Sequence, residues 1–461
     1  MDYELLHTLL GFVEVFRPAL TAPGFEKALV VFVGWVLSNG PHAVTAALVS
    51  TDVARRRHHE GFHRFFSRGT WSTDALGKLL FARLIAWIPN GMPLHAALDD
   101  TLTPKKGPHV FGIGSHLDAV RSTKKFRVFA FGHVWVVLAI VVQLPFAKRP
   151  WALPVLFRLY RNKKECLAKK QPYRKKTELA RELVDTLATW AGERQVHLAA
   201  DSAYCNDTLL RNLSSTVTLF GAMRPDAVLT APPTEREQRR TGRRRVRGRL
   251  LPKPEKLARD QRSTWCRGSA FLYGKRRSVQ FKMIDAQWYR ACGSRLVRVV
   301  VVRVDAGSIG LRVFFCTDAT KSAVEILETY GERWAIEICF RDLKQSLGFA
   351  DSSARKKAAV ERTAPFVGYT YTTLVLWFAQ HAWNTAAAAP PVRPWYPHKQ
   401  GASFADVLRC AQRTLAHLDV FDLASSLDNL HEHPRPYGMP TPCLRRKCRD
   451  SAPPIRERKA A

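Results

Sequence analysis

The sequence predicts an α/β protein, a buried sheet whose strands end on carboxylates and are flanked by helices, with a strand-rich interruption and helical regions at both ends. Three observations carry this. Leu94 to Leu98 form a short apolar run that suits a buried strand and ends at Asp99-Asp100-Thr101, just before a Pro-Lys-Lys-Gly turn. Arg194 to Ala200 lead in the same way to Asp201, and a helix is expected after it, from Asp207 to Leu213. The stretch 329–349, TYGERWAIEICFRDLKQSLGF, has the period of one amphipathic helix.

Residues 1–90 read as helical and basic. Apolar clusters at 25–37 and 75–88 frame TDVARRRHHEGFHRFFSRGTW, in which five arginines and three histidines surround aromatic residues. His58, His59 and His63 lack the second cluster of Cys, Asp or Glu that a metal box needs. A small helical DNA-binding domain, with Arg55 to Arg57 and Arg64 near phosphates, is the expectation. The whole chain supports a polyanion partner: 461 residues carry 72 Lys+Arg against 39 Asp+Glu, a net charge of +33. Basic side chains gain affinity by releasing counterions condensed on phosphates. An anionic membrane surface is the alternative polyanion. Nine scattered cysteines without a CxxC pair argue for reduced thiols over a disulfide frame or a zinc module. The first sixteen residues have no basic n-region and are interrupted by acids, so no signal peptide is expected.

Residues 91–214 hold the two strand-to-carboxylate motifs. Successive side chains of a strand point to opposite faces, so only one of Asp99 and Asp100 can aim at a shared site. An Asx turn at the strand end is the structural alternative. Between the motifs, Val128 to Ala147 is a run of twenty uncharged residues, long enough to suggest a membrane helix. Gly132-His133 splits it, Gln143 and Pro145 end it early, and its Val and Ile content favours strands of a buried sheet. Lys148 to Lys176 then carries eleven basic residues and one acid, interleaved with Trp151, Phe157, Tyr160 and Tyr173, a mixture that suits a nucleic-acid backbone. Thr177 to Ala191 has a helix pattern.

Residues 215–310 read as a β-rich insertion. Thr216 to Met223, Ser278 to Met283 and Leu296 to Val304 alternate or run as strands do, as does Leu311 to Cys316 just beyond. Within it, Thr234 to Arg262 holds twelve basic residues and four acids with Gly and Pro, the composition of a mobile arm that includes Arg243, Arg244 and Arg245. Trp265 and Trp288 are candidates for stacking on an unpaired base, although either also suits a hairpin or core. Residues 311–386 return to the α/β region and end in a helix from Ala359 to Asn384. After a Pro/Ala linker, 395–443 reads as helical, and 444–461 as a basic, disordered tail.

The helix at 329–349 places Tyr330, Arg333, Glu337 and Lys344 at spacings of 3, 4 and 7. At about 100° per residue, all four fall within roughly 60° of one another. Ile336, Phe340, Leu343 and Leu347 form a neighbouring apolar face. A solvated face is the plain reading of such a stripe, with Arg333 and Glu337 an ordinary i,i+4 pair. However, Y-x2-R-x3-E-x6-K followed by Leu347-Gly348 resembles the YREK signature of bacterial insertion-sequence DDE transposases. The LDDT segment resembles that family's first catalytic Asp before a Thr, which matches Asp100. Asp201 with Tyr204 resembles the second motif and departs from it at Ser202. The segment RPWYPHKQGASFADVL resembles the family's C-terminal P-W-Y…K…S-F-A-D-x-L.

That resemblance implies an RNase H-like mixed sheet and a cut-and-paste DNA transposase. Asp100, Asp201 and Glu337 would be the catalytic metal ligands, holding two Mg²⁺ or Mn²⁺ ions through hard oxygen donors. Tyr330, Arg333 and Lys344 would contact the scissile strand. Double-stranded DNA, as terminal inverted repeats and target, would be the partner of a dimer in the bacterial cytoplasm, with no membrane involved. The alternatives are a metal-dependent nuclease or a decayed DNA-binding copy on the same fold, and a basic membrane-surface or DNA-coating protein.

Overall fold

The computed structural model describes residues 3–107, 109–123, 125–238, 244–304, 311–395, 399, 401–416 and 418. Arg243, the tail 444–461 and most of 395–443 lie outside the described residues.

Five helices open the chain: α1 (Tyr3–Glu14), α2 (Ala22–Leu37), α3 (Val44–Ser50), α4 (Glu60–Ser67) and α5 (Thr73–Trp87). In α2, Thr21 accepts a hydrogen bond from the Gly24 N–H and Pro23 stands in the first turn, a start favoured by residues that satisfy or lack orphan donors. Its run from Ala28 to Val36 is buried on all sides, as an all-apolar helix must be.

The sheet follows. Strands β1 (Leu94–Pro104), β2 (Gly114–Leu117), β3 (Phe129–Val142) and β4 (Trp151–Tyr160) lead through α6 (Lys163–Ala168) and α7 (Lys176–Ala191) to β5 (Val196–Ala200). After α8 (Asp207–Leu210) and β6 (Val217–Ala222) come two short helices, α9 (Glu235–Gln238) and α10 (Pro254–Arg259), and the strands β7 (Cys266–Leu272) and β8 (Lys275–Gln287). Helix α11 (Tyr289–Cys292), β9 (Leu296–Val304) and β10 (Arg312–Cys316) complete the sheet. Helices α12 (Ala323–Glu332), α13 (Trp334–Ser346), α14 (Lys357–Trp377) and α15 (Phe404–Leu415) close the described chain.

β1 pairs antiparallel with β3, and β3 antiparallel with β4, while β5 runs parallel to both β1 and β6. The order β4-β3-β1-β5-β6, with α7 between β4 and β5 and α8 between β5 and β6, is the RNase H-like mixed sheet expected from sequence. The β-rich stretch does not stand apart: β10, β9, β8 and β7 continue the same sheet by antiparallel pairing beyond β6. Nor does it begin at 215, because β6 is a core strand, in register with β5 from Val196↔Val217 to Ala200↔Gly221.

The uncharged run at 128–147 is one strand, β3, not two. Gly132 does not interrupt it; a Cβ there would sit 2.2 Å from the Thr103 carbonyl oxygen, so glycine lets β1 and β3 approach. Among the described residues, no helix is long and apolar enough to cross a membrane. The N-terminal helices share one core with the sheet and with α14, which packs on α1, α4, α5, α15 and β4.

Candidate active site

The parallel ladder of β1 and β5 runs from Leu94↔Val196 to Leu98↔Ala200, so the next residues, Asp99 and Asp201, stand side by side at the carboxyl rim. Ligands of α/β sheets gather at this edge. Side-chain alternation then divides the two neighbouring aspartates of β1 between the faces of the sheet.

Asp99 faces α12 and α13. Ser322 caps α12 by accepting from the Glu325 N–H at 3.2 Å while Glu325 accepts from the Ser322 N–H at 2.8 Å, which fixes where that helix starts. The expected single helix from 329 is two segments, α12 and α13, meeting at Arg333. From this junction Arg333 Nη1 donates to Asp99 Oδ2 at 2.5 Å and Nη2 to Glu337 Oε1 at 2.7 Å. Its carbon centre lies 5.7 Å from the Tyr330 ring centroid, and its Nε is buried with no hydrogen-bond partner. Gly348, at φ +57°, turns the chain out of α13, with the Phe349 N–H returning to the Leu343 carbonyl at 3.0 Å. Trp35 of α2 donates its indole N–H to the Leu347 carbonyl at 2.9 Å, which pins this end to the N-terminal helices.

Asp100 faces α7. Tyr204 donates its hydroxyl to Asp100 Oδ1 at 2.6 Å, and Lys176, in the first turn of α7, donates to Oδ2 at 2.7 Å. The structure therefore brings Asp99, Asp201, Arg333, Tyr330 and Glu337 together on one side, while the Asp100 carboxylate is held on the other. Sequence reasoning treated Asp99 as a bystander and did not select Lys176. The parallel register that pairs Asp99 with Asp201 is a long-range property, and local pattern carries no trace of it.

The electrostatics follow burial and charge. Desolvation raises the Asp99 pKa to about 7, helped by the neighbouring Asp100 and Asp201 charges and opposed by Arg333 and the Asp100 N–H. Burial raises the Tyr330 phenol to about 12, and burial with the adjacent carboxylates pushes Tyr204 far above the usual tyrosine range. For Arg333, burial opposes the charge, but Asp99, Tyr330 and Glu337 outweigh it and hold the guanidinium protonated. Lys344 reaches solvent from α13; partial desolvation lowers its pKa, against the attraction of Asp118.

The other sequence candidates lie elsewhere. Trp265 is half-buried with Arg303 4.2 Å and Lys282 4.9 Å from its ring centroid, and Trp288 packs edge-on to Phe315 at 5.1 Å. Arg244 and Arg245 are exposed, Arg245 pairing with Glu237 at 3.3 Å.

Asp99 and Asp201 at the rim and Glu337 of α13 on the same side, all oxygen donors, have the chemistry of a site for a hard divalent cation. As they stand they do not close on a point: among the described residues, no three His, Cys, Asp or Glu side chains are arranged to hold an ion. Arg333 supplies the positive charge between two of them.

No curated protein matches the chain. Residues 291–380 match the model of the archaeal putative transposase ISC1217 family. Among solved structures, a piggyBac transposase synaptic complex with hairpin DNA, determined by cryo-EM, is similar at 10% identity and a TM-score of 0.39, over 94% of this chain and 83% of that one. Residues 15–278, more than half of the sequence and the part that supplies both aspartate motifs, match the DDE superfamily endonuclease model, and the chain belongs to that family.

Proposed function

We propose that the protein is a DNA transposase of the insertion-sequence type, which binds the inverted repeats at its element's ends and performs strand cleavage and strand transfer. The observation that carries this reading is the rim of β1 and β5, where Asp99 and Asp201 stand together and Asp99 is linked through Arg333 to Glu337 of α13. Asp201, Glu337 and one of the β1 pair would hold two Mg²⁺ or Mn²⁺ ions. The geometry supports Asp99 for the third position, on the face of Glu337, where sequence resemblance favours Asp100. When bound, such ions activate the attacking water or 3′-hydroxyl and stabilise the leaving oxygen.

The chain's own residues do the positioning. Tyr204 and Lys176 hold Asp100 and so fix this part of β1 from the α7 side. Arg333, once its carboxylate partners turn to a cation, has a planar fork free for a phosphate of the scissile strand. Tyr330 and Lys344, on either side, extend that contact along the backbone. The exposed Arg244 and Arg245, with Arg243 next to them in sequence, add phosphate contacts from the arm, and Trp265 and Trp288 lie in the same insertion as candidates for stacking on an unpaired base. A dimer on DNA, acting at the nucleoid, suits a reaction on two transposon ends.

The test is purified protein with Mg²⁺ and a DNA substrate that carries the inverted repeats flanking its own gene. Excision of the element supports the proposal. Nonspecific nicking would reduce the activity to that of a nuclease, and salt-sensitive binding without any cleavage would mark a decayed copy.

A further inference from the structure

The hairpin of β2 and β3 extends past the rim where the carboxylates stand. β2 pairs with the start of β3, from Gly114↔Gly132 to Leu117↔Phe129, just beyond Pro104, the last residue of β1, which also pairs with Gly132. Alternation assigns its faces. His116 is buried with its ring 5.7 Å from that of Tyr160, over which Lys176 of α7 lies at 5.5 Å, so it belongs to the α7 face. Leu117, Phe129 and Phe131 point the opposite way. Even steps along β3 connect Phe129 and Phe131 to Val137, the register partner of Asp99, so these rings lie on the face that carries Asp99.

Phe129 and Phe131 are 62% and 66% exposed and Leu117 is 49% exposed, a cluster that the sheet leaves uncovered. Beyond it, described residues of the loop hydrogen-bond to one another. Asp118 Oδ1 accepts from the Val120 and Arg121 N–H groups at 3.1 Å, Ser122 Oγ accepts from the Val128 N–H at 2.9 Å, and the Thr123 N–H donates to the Phe126 carbonyl at 2.8 Å. Arg121, Lys125 and Arg127 are exposed around the rings. The one acid among them, Asp118, accepts from those two backbone N–H groups and lies 4.0 Å from the Arg121 guanidinium. An apolar blade edged by cations is complementary to a DNA groove, where apolar side chains open base steps and basic ones meet phosphates.

We propose that the β2–β3 hairpin is a DNA-bending wedge: Leu117, Phe129 and Phe131 enter the minor groove of duplex DNA and open a base step, while Arg121, Lys125 and Arg127 hold the adjacent phosphates. This rests on the reading that DNA lies across the Asp99 face. From Val137 to Phe131 the strand rises roughly 20 Å at about 3.3 Å per residue. That places the kink about six base pairs from the cut, at about 3.4 Å per pair.

The experiment uses the full chain with Ca²⁺ and short duplexes of element-end DNA labelled with a dye pair at their termini, so that bending is read as energy transfer. Wild type should bend the duplex, and should bind about tenfold or more tightly to a duplex with a mismatch at the wedge position, because unstacking there is already done. Phe129→Ala/Phe131→Ala should abolish both effects and leave affinity for the matched duplex within about threefold. Phe129→Leu/Phe131→Leu keeps an apolar blade and should retain them. Both rings are exposed, so melting temperatures should be unchanged, which separates loss of the wedge from loss of the fold.

Bending by the alanine variant equal to wild type would overturn the proposal, as would equal loss of affinity on matched and mismatched duplexes. Dissociation of a wild-type dimer in the alanine variant, with bending preserved, would also overturn it and make the face a contact between copies. If wild type bound no DNA, the transposase reading would fall as well, an outcome distinct from all of these.

Discussion

Replacing Arg333 with glutamine removes the side chain that joins Asp99 to Glu337, and the structure sets the size of the effect. The Arg333 and Asp99 side chains are 13% and 18% exposed, so their 2.5 Å contact is a mostly buried ion pair. Deleting one partner of a fully buried pair costs about 3–5 kcal/mol, because a charge is left without compensation. Residual solvent contact reduces this, and so does the ease with which Asp99 takes up a proton near neutrality, which leaves roughly 2–3 kcal/mol. The Glu337 arm, 35% exposed on its acidic side, adds no more than about 1 kcal/mol. The expected result in metal-free buffer is a fall in melting temperature of roughly 2–4 °C.

Calcium should then separate the variant from wild type. In wild type a cation competes with the guanidinium for the carboxylates, whereas in Arg333→Gln the carboxylates are free, so Ca²⁺ should stabilise the variant more and close most of the gap. Thermal melts of both proteins, with a chelator and across a Ca²⁺ titration, measure this without any cleavage step. Identical melts in chelator would mean that the ion pair contributes nothing. A gap that Ca²⁺ left unchanged would refute the idea that Arg333 stands in for a cation.

Three further outcomes are expected. Asp201→Asn, Glu337→Gln and Asp99→Asn should each abolish cleavage of element-end DNA with binding retained, and Asp100→Asn should be milder; dead Asp100→Asn beside active Asp99→Asn would restore the choice made from sequence. Neutralising Arg244, Arg245 and Arg247 together should lower the slope of log affinity against log salt by up to about 0.9 for each phosphate no longer neutralised, and an unchanged slope would make the arm a solvated loop. His133 is 3% exposed beside the Phe111 carbonyl, and burial depresses its pKa from 6.5 to about 4. Between these values the unfolded chain binds a proton that the folded one refuses, so stability present above pH 6.5 should drain away as pH falls toward 4. The loss is about 3 kcal/mol at most, and His133→Gln should flatten the profile of melting temperature against pH.

The sequence by itself determined the class of the fold, the apolar runs that lead into Asp99 and Asp201, the helix that carries Glu337, and the charge that calls for a polyanion, but not the length of β1, which continues past its acids to Pro104. Each is a local or summed property: an apolar run closed by Asp, a 3.6-residue period, a count of arginines. The tertiary structure decided what depends on register and contact. Whether Asp99 or Asp100 faces Glu337 turns on the ladder between β1 and β5, two strands separated in the chain by β2, β3, β4, α6 and α7. That β6 belongs to the core, and that β7 to β10 prolong one sheet, follows from hydrogen bonds between strands whose own sequences read alike as Val- and Phe-rich. The break at Arg333 is likewise invisible in a helical period that runs through it, because what occupies that junction is an ion pair to a strand more than two hundred residues away. The exposed rings of Phe129 and Phe131 belong by composition to a buried strand; only the length of β3 beyond its partner β1 leaves them in water.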